Sequence, residues 1–298
     1  MDKDVKIQIK EVKSVMTKSN LPIGGYSVNP YVGCTHACKY CYASFMKRFT
    51  NHPEEWGTFL DVKVWPEIKN PHKYDGQIVD IGSVTDGYNS FEEKYRRSRA
   101  VLEQLQGGNP KLLITTKSDL VTRDIDLLKS FKDVTVSWSI NTLDESFKDD
   151  MDDAPSIERR LAAMKQVYDA GIRTVCFVSP IFPGLVDIPG LIERVKNQCD
   201  FVWLENLNLR GGFKSTIMDY IADKHPELLP LYTQIYDRKD RSYWHELERE
   251  VHEYAVKNGF SYIDNHLPDR RSEKGKPTII NYLFHEEIRG SDNSGKRK

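Results

Sequence analysis

The chain has 298 residues, and its 43 basic and 44 acidic side chains leave a formal net charge of −1. This balance excludes a global positive field that would attract nucleic acid or anionic membrane, but not a local basic patch. No apolar run approaches the roughly 18 residues of a membrane span, and the N-terminus lacks an apolar signal core. We therefore expect a cytoplasmic protein with no membrane partner.

Three of the five cysteines stand close together in the segment NPYVGCTHACKYCYASF, residues 29–45, at a C-x3-C-x2-C spacing. They are Cys34, Cys38 and Cys41. Three thiolates on one short loop can bind three irons of a cubane cluster and leave the fourth iron open to a small molecule. A Cys3His zinc site that includes His36 is the alternative, but zinc sites usually have two separated ligand pairs, and no second C-x2-C pair is present. An odd, tightly spaced trio also disfavours disulfides.

From residue 77 onward short β-branched runs alternate with amphipathic stretches, which predicts parallel strands joined by right-handed helical crossovers. The strands are predicted at 78–84, 111–116, 133–140, 172–179 and 200–207. The helices are predicted at 43–49, 91–106, 120–131, 156–170, 187–198 and 214–223. Together with a strand just before Cys34 this makes six β/α units, which fit either a partial barrel or a doubly wound sheet.

The remaining parts of the chain lack this rhythm. An alternating piece at 5–9 is typical of an edge strand, and residues 50–76, with their tryptophans and prolines, are predicted to form a long ordered loop. Helices at 228–236 and 244–257 and a short strand at 260–263 are predicted near the C-terminus. We divide the chain into an N-terminal extension (1–27), a β/α core (28–223), a mostly helical C-terminal extension (224–285) and a tail (286–298) that is expected to be disordered.

One predicted strand has a polar face, because Thr135, Ser137, Ser139 and Asn141 alternate with apolar residues. Such a face suggests a hydrated interior that binds a polar ligand. The alternative is a set of satisfied core hydroxyls, which we favour for Thr135 and leave open for Ser139 and Asn141.

Further polar and reactive side chains are candidates for chemistry. Cys176 could be a hydrogen donor, although a lone cysteine is more often a buried small residue. Tyr42 could relay an electron or shield a cluster. Four residues near the end of the strand at 200–207 are candidates for substrate contact, with a salt-bridged rim as the alternative: Glu205, Asn206, Asn208 and Arg210.

The cysteine segment resembles the cluster loop of the radical S-adenosylmethionine (SAM) superfamily, with Tyr40 as the aromatic residue before the third cysteine. Its flanks, N-P-Y-x-G-C-x-H-x-C-x-Y-C-Y-A, are similar to the spore photoproduct lyase-like branch, and longer pieces resemble the radical SAM mobile pair B proteins. The resemblance implies an α/β fold, a partial (β/α)6 TIM-like barrel of the radical SAM type with a mostly helical C-terminal extension. It also implies a paired radical SAM protein as a partner.

The same resemblance implies the cofactors, a [4Fe–4S] cluster on the three cysteines and SAM beside it. The pieces V-T-D, T-K and S-I-N match the lyase-like pattern at 84–86, 116–117 and 139–141. Tyr40 would then lie against the adenine, Thr85 would meet the methionine ammonium and Lys117 its carboxylate. The other residues implied for the cofactor site are Ser83, Asp86, Ser139 and Asn141. A zwitterion beside an aromatic plate needs such a cation and such acceptors.

The implied activity is reductive cleavage of SAM to a 5′-deoxyadenosyl radical that abstracts hydrogen from an unidentified substrate. An electron donor such as flavodoxin or ferredoxin would supply the electron. Two alternatives remain open: nucleic-acid modification or lesion repair, favoured by the basic stretch 94–99, and a non-enzymatic iron–sulfur or zinc module. Ser83 stands where the lesion-repair lyase has a hydrogen-donating cysteine. Because a serine O–H bond is too strong for that role, we do not expect repair by that route.

Overall fold

The computed structural model describes residues 4–19, 24–209, 211–264 and 268–281. These residues form two compact units. The first contains the described residues up to Ser139 together with Asp144–Thr174, and the second contains Ile140–Leu143 and the described residues from Val175 onward. The end of the predicted C-terminal extension and the whole tail at 286–298 lie outside the described residues.

Eight strands lie wholly in the described part of the first unit: β1 (Lys6–Glu11), β2 (Met16–Lys18), β3 (Tyr26–Val28), β4 (Tyr31–Val32), β5 (Phe59–Val64), β6 (Ile78–Ile81), β7 (Lys111–Thr116) and β8 (Asp133–Ser139). Five of them pair in the order β2-β3-β6-β7-β8, where β2 is antiparallel to β3 and the other pairs are parallel. The other three form a small sheet in the order β1-β5-β4. Two short strands precede the first cysteine. Strand β4 ends at Val32 and belongs to the small sheet, whereas β3 pairs in parallel with β6 and is the first of the predicted row of parallel strands.

The helices of the first unit are α1 (Glu92–Tyr95), α2 (Arg97–Leu105), α3 (Ile125–Leu128), α4 (Glu145–Met151) and α5 (Ile157–Asp169), with 3-10 helices at Tyr42–Phe49, Pro71–Tyr74 and Leu120–Asp124. The helix predicted at 91–106 is broken in two because Arg96 has a φ of 51°, in the left-handed region. Likewise, the helix predicted at 120–131 is a 3-10 turn followed by α3. Helix α4 was not predicted. Its N-cap residue is Asp144, whose side chain accepts hydrogen bonds from the N–H groups of Ser146 and Phe147.

Strand β8 ends at Ser139, so Thr135, Ser137 and Ser139 of the predicted polar face lie on it and Asn141 does not. Thr115 lies opposite Ser137, and Thr135 accepts a hydrogen bond of 3.1 Å from Arg173. The intervening apolar residues, such as Val136, are buried on the other face. The hydroxyl of Ser137 is also buried and has no hydrogen-bond partner among the described atoms. The polar face of this strand is therefore not fully satisfied by the protein.

The second unit contains four parallel strands in the order β9-β10-β12-β11: β9 (Arg173–Ile181, which starts in the first unit), β10 (Phe201–Asn206), β11 (Tyr262–Asp264) and β12 (Thr278–Asn281). Its helices are α6 (Ile188–Val195), α7 (Phe213–Lys224), α8 (Leu229–Tyr236) and α9 (Ser242–Asn258), with a 3-10 turn at Pro226–Leu228. All the helices and strands predicted in this part of the chain are present within a few residues. Strand β12 was not predicted.

The predicted loop at 50–76 is wrong in part, because it contains β5. The run FLDVKV is extended between two partners, parallel to β1 and antiparallel to β4, and Phe59, Leu60 and Val62 are buried there. The nearby tryptophans and prolines hid this strand from the sequence pattern. Across the described ranges, no helix is both long and apolar enough to cross a bilayer.

Candidate functional site

The three cysteines lie on the loop between β4 and the 3-10 helix Tyr42–Phe49, all as free thiols that are half-buried. Tight turns set their spacing: the N–H of Ala37 donates to the carbonyl of Cys34 at 3.2 Å, and the N–H of Cys41 donates to the carbonyl of Cys38 at 3.1 Å. Ala37 has a φ of 48°, so the backbone is left-handed between the first two cysteines. The loop is wound so that its three thiols are separated by turns.

Two glycines allow this loop to pack closely against the segment that leads into β5. A Cβ on Gly33, whose φ is 90°, would lie 2.3 Å from the carbonyl oxygen of Phe59. A Cβ on Gly57 would lie 2.6 Å from the Cβ of Ala37. Neither distance is compatible with a larger residue unless the backbone shifts. The backbone of the cysteine loop is therefore packed directly against residues 57–59.

The loop is also held by a buried pair, His36 and Asp86, whose Nε2 and Oδ2 atoms are 2.9 Å apart. Asp86 accepts further hydrogen bonds from the N–H of Tyr88 at 2.8 Å, the hydroxyl of Thr116 at 2.8 Å and the N–H of Lys117 at 2.7 Å. Burial works to raise the pKa of Asp86, but His36 and the backbone N–H groups outweigh it and hold that pKa below its usual value. The ionised carboxylate thus joins the cluster loop to the loops after β6 and β7.

On its other side the loop contacts a buried network around Asp152. This carboxylate accepts hydrogen bonds from the hydroxyl of Tyr40 at 3.2 Å and from Arg160 at 2.7 Å. Arg160 is only 1% exposed and also donates to the carbonyls of Ser139 at 3.2 Å and Pro155 at 2.8 Å. A buried guanidinium therefore ties the residue before the third cysteine to the end of β8.

Three cations surround that one carboxylate. Besides Arg160, the ammonium groups of Lys117 and Lys148 lie 4.0 and 3.9 Å from Asp152. Burial works to raise the pKa of Asp152, and the surrounding cations hold that pKa below its usual value. Lys117 also lies 5.4 Å from the centre of the Tyr40 ring. Lys148 also pairs with the exposed carboxylate of Asp149 at 3.0 Å, so the three cations face two carboxylates. This corner keeps an excess of one positive charge and suits a further anionic group.

The V-T-D residues contact the cluster loop directly. The hydroxyl of Thr85 donates to the carbonyl of Gly33 at 2.5 Å, and the hydroxyl of Tyr42 donates to the carbonyl of Ser83. Asn29 bridges the same loop, because its amide donates to the Ser83 hydroxyl at 3.0 Å and accepts from the N–H of Val84 at 3.0 Å. Thr85 therefore holds the cysteine loop through its hydroxyl hydrogen. The oxygen of that hydroxyl can still accept a hydrogen bond from a ligand.

The donor set fits an iron–sulfur cluster. Burial, assisted by the Asp86 carboxylate, raises the pKa of the Cys34 thiol to about 12, and burial also raises the pKa values of Cys38 and Cys41. Such thiols keep their protons until a metal displaces them. Within the described ranges, no three His, Cys, Asp or Glu side chains converge on a single metal ion. A cubane does not require convergence, since each cysteine binds a different iron.

The other predicted site residues are distributed over both units. Ser139 is half-buried at the end of β8 in the first unit, whereas the amide of Asn141 donates to the carbonyl of Pro180 in the second. Cys176 is fully buried on β9, on the opposite face of the strand from Val175. Among the substrate candidates, Glu205 accepts from the hydroxyl of Ser179, Asn206 is buried and Asn208 is half-buried. Arg210 lies outside the described residues.

Sequence reasoning missed some of the residues that hold the site. It considered His36 as a zinc ligand, but in the structure His36 pairs with Asp86. It gave no role to Asn29 or Arg160. Arg160 could have been found, because it stands three residues after Ile157 in the apolar stripe of α5, where an arginine needs a buried partner.

Fold and site together define an α/β protein in which a three-cysteine loop lies, in chain order, between β3 and β6 of the parallel sheet. Buried hydrogen bonds hold this loop on two sides. The family model of the radical SAM superfamily matches residues 28–190. A protein of Methanocaldococcus jannaschii, itself uncharacterized, is 37% identical over 227 residues, which are 74% of this chain and 85% of that relative. The chain belongs to the radical SAM superfamily and is a radical SAM enzyme.

Solved structures support the same fold. A spore photoproduct lyase variant with bound SAM and a dinucleoside spore photoproduct is similar with a TM-score of 0.55 and 16% identity, over 74% of this chain and 67% of that chain. Streptococcus suis SuiB bound to the precursor peptide SuiA has a TM-score of 0.50 and 15% identity, over 86% of this chain and 48% of that chain. The predicted α/β fold class of the radical SAM type is confirmed. Membership implies an iron–sulfur cluster and SAM as cofactors.

Proposed function

We propose that Cys34, Cys38 and Cys41 bind one [4Fe–4S] cluster and that the enzyme uses it to cleave SAM reductively. The observation that carries this proposal is the double bracing of the cysteine loop. One side is held by Asp86 through His36, and the other by Asp152 through Tyr40. Because Asp86 is itself a predicted SAM contact and Asp152 lies 4.0 Å from another, Lys117, the loop and the cofactor site would be built as one structure.

The side chains offer what a bound SAM needs. Lys117 and its neighbouring cations suit the methionine carboxylate, since charge-assisted contacts are the strong ones in a buried site. The hydroxyl of Thr85 can accept from the ammonium group, and the ring of Tyr40 offers a flat face to the adenine. We assign Ser83, Asp86, Ser139 and Asn141 to the same site from their motifs.

When bound, the cluster and SAM supply one-electron cleavage to a 5′-deoxyadenosyl radical that abstracts hydrogen from the substrate. The protein orients the reactants and excludes water. We propose a flavodoxin or ferredoxin as the electron donor and a paired radical SAM protein as a partner. Glu205, Asn206, Asn208 and Arg210 are the proposed substrate contacts. Tyr42 and Cys176 are proposed to assist in electron transfer and hydrogen return.

Anaerobic reconstitution with iron and sulfide tests this proposal. We expect about four irons and four sulfides per chain, and 5′-deoxyadenosine by chromatography when SAM and dithionite are added. A cluster-loaded protein that releases no 5′-deoxyadenosine would contradict the activity. Stoichiometric zinc in the native protein would favour the non-enzymatic module instead.

Nucleic-acid modification is a second candidate, favoured by an exposed aromatic and basic surface just after the third cysteine. Phe45 and Phe49 are 40% and 70% exposed, and the guanidinium of Arg48 lies 5.3 and 5.5 Å from their ring centres. Exposed rings and arginines are typical of surfaces on which bases stack. The spore photoproduct lyase structure contains a dinucleoside. The basic stretch 94–99 is weaker support, because Arg99 is paired with Asp124 at 2.7 Å.

A binding measurement tests whether the substrate is a nucleic acid. If nucleic acid is the substrate, single-stranded DNA or RNA should bind with an affinity that falls as salt rises, and Phe49→Ala should weaken it. Binding that does not depend on salt or on Phe49 would contradict this second candidate and leave the reductive cleavage of SAM untouched.

A further inference from the structure

The 3-10 helix Tyr42–Phe49 follows the third cysteine directly and exposes most of its side chains. Its N-cap residue is Cys41, and Ala43 is the only one of its eight residues that is buried. Three aromatic rings of this helix are 57%, 40% and 70% exposed, those of Tyr42, Phe45 and Phe49. Clustered apolar side chains with polar residues around them are typical of surfaces that contact a partner.

The charges on and beside this helix are positive. The sequence between Glu11 and Glu54 contains no acidic residue, although 44 of the 298 residues of the chain are acidic, and it contains five basic ones. Two of the five, Lys47 and Arg48, lie in the last turn of the helix. The segment that carries the three cysteines is therefore a positive stretch in a chain whose net charge is −1.

Both cations are held in place by neutral groups. The guanidinium of Arg48 lies 5.3 and 5.5 Å from the ring centres of Phe45 and Phe49, and its Nε donates to the carbonyl of Phe45 at 3.1 Å. The ammonium of Lys47 donates to the carbonyl of Pro53 at 3.3 Å. Neither cation pairs with a carboxylate in the described part of the chain, so both can contact an anionic partner.

We propose that the Tyr42–Phe49 helix is the docking surface for the protein that delivers the electron, an acidic one-electron carrier such as a flavodoxin or ferredoxin. This inference rests on the proposed function and names the place where its electron donor binds. The reduced carrier loses one electron and the cluster gains it. Because electron transfer slows steeply with distance, a carrier does best on a surface that begins at a cluster ligand. The positive charge of this surface would steer an acidic carrier to it.

The same rings support the nucleic-acid candidate, but the size of the surface favours a carrier. Redox partners meet in small and short-lived contacts, for which two cations beside three exposed rings suffice. A protein that holds a nucleic acid commonly neutralises about 6–10 phosphates. The Tyr42–Phe49 helix offers only Lys47 and Arg48 for that purpose.

The test compares two reductants that reach the cluster in different ways. Release of 5′-deoxyadenosine by the reconstituted protein is measured with reduced methyl viologen, a small cation that needs no docking surface, and with a flavodoxin kept reduced by its NADPH-dependent reductase. In a variant with both Lys47→Glu and Arg48→Glu, we expect the rate with flavodoxin to fall about tenfold or more at low salt. The difference from the wild type should shrink as salt rises. Iron content and the rate with methyl viologen should not change.

Two further variants complete the test. Lys94→Glu is the matched control, because Lys94 is exposed and lies 5.1 Å from the ring centre of Tyr95, and it should keep both rates. Phe49→Ala removes an exposed ring without a change of charge. It should lower only the rate with flavodoxin, by an amount that does not depend on salt. If the doubly charge-reversed variant assembles no cluster, Phe49→Ala decides by the same comparison.

Four results would overturn the inference. The first is a flavodoxin rate that is unchanged in both the double variant and Phe49→Ala, and the second is an equal loss in Lys94→Glu. The third is a wild type that releases 5′-deoxyadenosine with methyl viologen but not with flavodoxin. The fourth is loss of single-stranded DNA binding with an unchanged flavodoxin rate, which would assign this surface to nucleic acid. A cluster-loaded wild type that is inactive even with methyl viologen would instead contradict the proposed function itself.

Discussion

Two buried groups of charges in the first unit differ in their balance. Near α1 and α2, the carboxylates of Glu92 and Asp124 face the guanidinium groups of Arg99 and Arg123, with contacts of 2.7 to 2.9 Å. Two buried carboxylates thus meet two guanidinium groups, and Arg99 also contacts the exposed carboxylates of Glu103 and Asp126 at 2.9 and 3.6 Å. The positive charges of this group are therefore fully matched. Beside the cysteine loop, the single carboxylate of Asp152 is surrounded by three cations.

This difference separates a structural network from a binding site. In a group whose charges are matched, no further ion is needed to neutralise them, and the ion pairs serve to hold the helices in place. A group with more cations than carboxylates has uncompensated positive charge, which the carboxylate of a bound ligand can neutralise. We therefore interpret the network around Glu92 as part of the fold and that around Asp152 as part of the SAM site.

The largest expected effect comes from the three proposed cluster ligands. Replacement of Cys34, Cys38 or Cys41 by Ala should abolish the cluster, because two thiolates cannot hold a cubane that already has one open iron. Iron and sulfide analysis with absorption spectra after reconstitution measures this loss. A single variant that kept the full complement of iron and sulfide would show that the residue is not a ligand.

Removal of Arg160 should come next, because it leaves Asp152 buried and less well compensated. We expect Arg160→Met to lower the free energy of unfolding by about 3–5 kcal/mol. The adjacent Arg159→Met is the matched control, since Arg159 forms an exposed pair with Asp119 and should cost at most about 1 kcal/mol. Urea unfolding of both variants decides the matter, and equal losses would contradict the structural role of Arg160.

Another buried carboxylate, Asp80, sharpens the comparison because it forms no ion pair with any cation in the described part of the chain. Burial alone raises the pKa of Asp80 to about 7. An acid whose folded pKa is raised contributes stability below its unfolded pKa of about 4, and that stability is lost as pH rises through 7. Asp80→Asn should therefore gain on the wild type by up to about 4 kcal/mol between pH 4 and pH 8. Urea unfolding across this range measures the gain. A difference that does not vary with pH would refute the raised pKa.

The smallest effect is expected at Cys176, which is fully buried on β9. We expect Cys176→Ala to leave iron content and 5′-deoxyadenosine release nearly normal, with any change confined to product formation. Quantification of 5′-deoxyadenosine against the wild type is the measurement. Loss of SAM cleavage in a folded variant would mean that Cys176 takes part in radical generation.

Much of this account could be predicted from the sequence, because local patterns carry local structure. The alternation of β-branched runs and helical stripes located five strands of the core, and the spacing of three cysteines located the loop. Strand β5 was missed because Trp56 and Trp65, which flank it, made the segment look like a loop in composition. The break at Arg96 was missed because a left-handed residue leaves no trace in hydrophobic periodicity.

The pairings that hold the site could not be predicted, because they join distant residues. His36 and Asp86 are 50 positions apart, and Tyr40 and Asp152 are 112 apart. Periodicity says which face of a strand or helix is buried but not which partner a buried charge finds. The resemblance supplied the proposed SAM contacts, and only the structure supplied the excess of cations around Asp152.

The central claim is that the cation-rich group binds the anionic end of SAM and the balanced group does not. Titration calorimetry of SAM into cluster-loaded protein tests it most directly. We predict that Lys117→Ala costs about 1.5–3 kcal/mol, which is roughly a 10- to 150-fold higher Kd, and that Ser139→Ala costs about 1 kcal/mol. Glu92→Gln, in the balanced group, should leave the Kd unchanged in the folded protein. An unchanged Kd in both Lys117→Ala and Ser139→Ala, or an equal loss in Glu92→Gln, would contradict the account.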